Sequence, residues 1–80
     1  MSRAISFVEF RGWLADGLAV EPGECIPAAS LVGDLGADSL DLIELVITLE
    51  EEIGHDISDE ILESVQTVED AWNLYLRVTA

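Results

Sequence analysis

Along the chain, Phe7, Phe10, Leu14 and Leu18 recur at three- and four-residue spacing, with Trp13 widening the stripe and Glu9, Arg11 and Asp16 falling elsewhere. This predicts a first helix over residues 5–18, with Ser6 near its start and Gly17, then Pro22-Gly23, weakening its far end. Residues 19–38 hold Pro22, Pro27 and the glycines 23, 33 and 36, so they read as a long connection with at most a short helical turn near Ala28 to Leu31. A connection this long needs apolar anchors, and Val20, Cys25, Ile26, Leu31, Val32 and Leu35 are the candidates.

The strongest pattern runs from Ser39 to Ile53. It predicts a helix about 22 Å long at 1.5 Å per residue, with Leu40, Ile43, Val46, Ile47 and Leu49 or Ile53 inside and Asp41, Glu44, Glu51 and Glu52 outside. Asp38 is its expected N-cap, Asp41 suits the positive end of the helix, and Gly54 suits the far end. Ser58 then caps a short segment through Glu63. Thr67 caps a last helix with Val68, Ala71, Trp72 and Tyr75 turned inward. The expected fold is all-α: a small four-helix bundle with a long first loop and a short third helix, one domain over residues 1–80. Phe10, Leu14, Ile43, Val46, Ile47, Ile57, Ile61, Leu62 and Val65 complete the expected core.

Composition narrows the partners. Seventeen acidic residues face three arginines and no lysine, for a formal charge of −14. Nucleic acid and anionic membranes are therefore excluded as expected partners, and basic protein surfaces are favoured. Self-repulsion predicts a fold that salt stabilises, since screening shortens to about 8 Å at physiological ionic strength. The single Cys25 forms no internal disulfide and reads as a small core hydrophobe. No apolar run suits a signal peptide or a membrane span, so the cytoplasm is the expected location. One Cys and one His supply no metal cluster. The window 34–45 has Asp at its first and fifth positions but lacks the Gly and Glu that a calcium loop needs at its sixth and twelfth.

Candidate chemistry centres on Ser39, a lone hydroxyl at the loop-to-helix junction. A nucleophilic serine needs a positioned base. The one histidine, His55, lies about a helix length away and reads as a solvated loop residue.

The stretch LGADSLDLIELVITLEEEIG, residues 35–54, resembles the core of an acyl carrier protein, and the likeness continues through DISDEILESVQTVEDAW, covering residues 18–76. This resemblance implies a non-catalytic carrier. Ser39 would receive 4′-phosphopantetheine from coenzyme A through a phosphopantetheinyl transferase and carry acyl groups as thioesters for fatty acid or polyketide assembly. A thiol on a flexible tether suits that task, as a good acyl acceptor held at high effective concentration. Asp38 and Asp41 would offset the attraction of the helix N-terminus for the phosphate, leaving the arm free. The resemblance further implies partner docking through Asp38, Leu40, Asp41, Glu44 and Glu51, read by acyltransferases, ketosynthases or acyl-activating enzymes with basic faces. It also implies a monomer whose core opens to an acyl chain. Leu42 departs from the small polar residue often found there. An aminoacyl or peptidyl carrier, or an unloaded acidic scaffold of the same fold, are the alternative readings.

Overall fold

The computed structural model describes residues 5–54 and 56–79; His55, expected as a solvated loop residue, lies outside them. Four helices form: α1 (Phe7–Leu18), α2 (Ser39–Ile53), α3 (Asp59–Glu63) and α4 (Val68–Thr79). No strand forms among the described residues, and the only β feature there is an isolated antiparallel bridge between Ser30 and Thr67. The all-α expectation holds, with the long first loop and the short third helix.

Local side-chain chemistry sets the helix starts. Ser6 Oγ accepts the Glu9 N–H at 3.2 Å while Glu9 Oε1 accepts the Ser6 N–H at 3.3 Å, so two donors without intrahelical partners are satisfied at once. Ser58 Oγ accepts the Ile61 N–H ahead of α3. At the far end of α2, Gly54 adopts a left-handed φ of 80° and donates its N–H to Glu50 O, the stop that glycine allows without steric cost.

The long loop is held by its backbone. Its short helical turn lies at Pro22–Glu24, not at Ala28 to Leu31, because Pro22 presets the first φ and Glu24 Oε2 accepts the Glu21 N–H. Near the other end, the loop carbonyls of Ala29 and Pro27 accept the N–H groups of Val68 and Glu69, and Leu31 N–H donates to Gln66 O. These bonds satisfy the first donors of α4, which Thr67 Oγ1 completes by accepting the Asp70 N–H at 3.1 Å. Asp70 Oδ2 in turn accepts the Gln66 and Thr67 N–H groups. Those two backbone donors hold its carboxyl below the ordinary aspartate value.

Cys25, Leu31 and Leu35 anchor the loop as expected, and Val20 is half-buried. Ile26 and Val32 are instead exposed, at 55% and 60%, and the small Ala29 and Ala37 fill anchor positions, so the inward side chains from Cys25 to Ala37 alternate at spacings of four and two residues. Burial pushes the Cys25 thiol pKa up, with the Glu24 charge adding and Arg11 opposing.

All five aromatic residues of the chain meet between α1 and α4. Phe7, Phe10, Trp13, Trp72 and Tyr75 form five ring contacts with centroids 5.2–5.7 Å apart. Such pairs contribute about 0.5–1.5 kcal/mol each beyond area burial. Leu74, absent from the expected core, is buried beside them.

The largest correction concerns α2. Leu40, Ile43 and Ile47, expected inside, are exposed, and Val46 is only half-buried. The row that packs inward is Leu42, Leu45, Leu49 and Ile53. Both rows obey helical spacing, so periodicity alone fits either. Close packing against α1 favours the second row: Leu45 Cδ2 lies 2.8 Å from where a β-carbon on Gly17 would stand, so a larger residue there would have to displace the Leu45 side chain.

Candidate functional site at the start of α2

The loop reaches α2 through a wound segment. The N–H groups of Asp34 and Leu35 donate to Ser30 O, and that of Ala37 donates to Leu31 O. Asp34 Oδ2 also accepts the Ser30 N–H at 2.7 Å. Gly36, at φ 71°, makes the left-handed step that ends the segment. Leu35 and Ala37 on either side are buried, at 7% and 4% exposed, and they fix the direction from which the chain enters the helix.

Asp38 is extended and caps α2. Its Oδ1 accepts the Asp41 N–H at 2.9 Å, and Asp41 Oδ2 accepts the Asp38 N–H at 3.2 Å. The expected cap is therefore present, made reciprocal by Asp41. Ser39 follows as the first residue of the helix and is exposed. Because Asp38 performs the capping, the Ser39 hydroxyl is not drawn into it. Both neighbouring carboxylates hold backbone N–H groups, and no lysine exists in the chain to act as a base. The arrangement presents an exposed primary hydroxyl at the start of α2.

Of the other expected site residues, Leu40, Glu44 and Glu51 are exposed, and Asp41 is partly so. Leu40, Glu44, Ile47 and Glu51 follow one another at four, three and four residues, so they share one exposed row, with Ile43 beside it. Ile43 and Ile47 are the members that sequence reasoning missed. The signal for them was the competing row Leu42, Leu45, Leu49 and Ile53, equally helical and free of acids. Glu50, on the same helix, is structural: its Oε2 accepts the Ile57 N–H at 2.8 Å and ties the end of α2 to the approach to α3.

A cleft of about 780 Å³ opens beside Ser39. Leu42, Val46 and Ile47 of α2, Leu62 of α3 and Leu74 of α4 contribute to its largely apolar lining, and Phe10 and Trp13 line it from α1. Among the described residues no His, Cys, Asp or Glu side chains gather in a group of three that could hold a metal ion, and no helix is long and apolar enough to cross a membrane.

The residues present fit a covalently attached phosphopantetheine. An exposed hydroxyl stands at a helix N-terminus, and the flanking Asp38 and Asp41 carboxylates each accept the other's backbone N–H, so a phosphodiester there would have two carboxylates close by. Comparison with known proteins agrees with that chemistry. A family model described as a phosphopantetheine attachment site matches residues 9–72. A solved structure from Mycobacterium tuberculosis, assigned as an acyl carrier protein, superposes with a TM-score of 0.72 at 30% sequence identity, covering 85% of this chain and 92% of that one.

Proposed function

Because the chain belongs to the acyl carrier protein family, non-catalytic carriers with a phosphopantetheine attachment site, we propose that Ser39 bears the arm and that the protein shuttles acyl thioesters in fatty acid or polyketide-type assembly. The observation that carries this reading is the exposed Ser39 hydroxyl at the first position of α2, released from capping by Asp38. In the loading step, Ser39 Oγ bonds to the phosphorus that bears the pantetheine of coenzyme A. The phosphoanhydride bond breaks, adenosine 3′,5′-bisphosphate leaves, and the serine proton passes to a base of the phosphopantetheinyl transferase. The group supplies the thiol that this chain lacks at its surface, where Cys25 is buried.

The chain's own residues do the rest. Leu40, Glu44, Ile47 and Glu51 present a mixed apolar and acidic face to basic partners in the cytoplasm, the transferase and then acyltransferases, ketosynthases or acyl-activating enzymes. Carboxylates speed and orient the encounter, and exposed apolar side chains supply area to bury. Asp38 and Asp41 flank the attachment point within the same surface. The cleft beside Ser39 shelters an apolar acyl chain between encounters.

Incubation with coenzyme A and a broad-specificity phosphopantetheinyl transferase tests the proposal by intact mass. One added arm on the wild type and none on Ser39→Ala is expected. An unchanged wild-type mass, with a control carrier loaded in the same tube, would mean an acidic scaffold that is never loaded.

A further inference from the structure

Two cavities meet at one wall. The cleft beside Ser39 is bounded on its α1 side by Phe10 and Trp13, with Leu49 of α2 beside them. The same three residues line a second cavity of about 360 Å³, which continues to Ile5 and to the carboxylate-bearing Glu9 and Glu52. They are not equally fixed. Phe10 is 2% exposed and packs on Trp72 and Tyr75 as well as on Trp13. Leu49 is buried on the inner row of α2. Trp13 is only partly buried, and its indole reaches the wall at 5.7 Å from the Phe10 ring.

We infer that Trp13 sets the longest acyl chain this carrier shelters, its indole being the stop that separates the cleft from the second cavity. The inference rests on the reading of Ser39 as the bearer of an acyl-phosphopantetheine. As the arm folds back, each methylene that leaves water for the cleft raises the sheltered population by a factor of about four, the equivalent of about 0.8 kcal/mol per buried CH₂. The gain stops when the chain end meets the indole, because a packed wall resists overfilling. Without the indole the cleft and the second cavity become continuous. An apolar chain then advances until Glu9 and Glu52 halt it, since burying charged carboxylates against methylenes is unfavourable. The ligand class follows from the lining: an unbranched aliphatic acyl group of bounded length.

The experiment loads the wild type, Trp13→Ala and Trp13→Leu with a graded series of straight-chain acyl groups, by transferase from the acyl-coenzyme A thioesters. The readout is the rate of thioester cleavage by hydroxylamine. In the wild type, protection rises by up to about fourfold per methylene and then levels off. In both variants the levelling moves to longer chains. The same levelling length in all three proteins overturns the inference, as does protection that never depends on length. A wild type that accepts no arm fails earlier and visibly, by mass, and refutes the carrier reading itself. Should both variants fail to fold, Trp72→Phe leaves Trp13 as the sole tryptophan, and acyl chains brominated at the terminal carbon report contact. Its emission is quenched most at the levelling length, and absence of quenching at every length overturns the inference.

Discussion

Asp38 and Asp41 clasp each other's backbone across Ser39, each side chain accepting the other's N–H, at 2.9 and 3.2 Å. The helix that carries the hydroxyl therefore begins from a cap that does not use the hydroxyl. Replacing Asp38 by Ala is expected to cost about 1 kcal/mol, the usual cost of losing such a cap, whereas Asn keeps an acceptor and most of the stability. Urea unfolding with an unchanged slope and a lowered midpoint is the check. An Asp38→Ala protein as stable as wild type contradicts the capping role.

Gly17 and Gly12 lie on the same helix and respond differently to alanine. Nothing stands within 4 Å of a β-carbon at Gly12, so Gly12→Ala is expected to add about 0.5–1 kcal/mol through helix propensity and a restricted unfolded chain. At Gly17 the new carbon meets Leu45 Cδ2 at 2.8 Å, so part of that gain goes into displacing Leu45. In a double-mutant cycle, Gly17→Ala should regain its benefit in a Leu45→Ala background. Equal effects at the two glycines would mean that Leu45 does not pack as described.

The four helices and their caps are readable from residues because they depend on local bonds. Ser6 with Glu9, Asp38 with Asp41, Ser58 with Ile61 and Thr67 with Asp70 are all side chain to backbone contacts three residues apart. The position of Ser39, first in α2 and exposed, is legible for the same reason, as the residue after a cap. The orientation of α2 is not, because Leu40, Ile43 and Ile47 compete with Leu42, Leu45 and Leu49 for the core, and the tie is broken by Gly17 on another helix. The loop's attachment to α4 is equally hidden: its carbonyls at Pro27 and Ala29 carry no side-chain signal.

Asp70 makes stability depend on acid. Its folded pKa lies below the unfolded value, held down by the Gln66 and Thr67 N–H groups. Its contribution is thus fully present above the unfolded carboxylate pKa of about 3.9 and is lost as pH falls through the lower folded value. Asp70→Ala should be less stable than wild type at neutral pH, and the two should converge in acid. A gap that does not narrow at all as pH is lowered through the carboxylate range would show that the ionised carboxylate is not what holds the start of α4.

Charge sets a second dependence. At −14 with three cations, the folded chain repels itself, so added sodium chloride should raise stability, most steeply below physiological ionic strength where screening is longest in range. A gain of about 1 kcal/mol corresponds to a rise of about 4–8 °C in Tm for a domain of this size. A Tm that stays level or falls from 10 to 200 mM salt contradicts the self-repulsion account.

The central claim is that Ser39, and no other hydroxyl, is the attachment point. Six serines stand in the chain, at positions 2, 6, 30, 39, 58 and 64. Fragmentation mass spectrometry of the transferase-loaded protein locates the arm residue by residue. The added mass is predicted to appear between Asp38 and Leu40 and on no other residue; an arm on any of the other five serines contradicts the account.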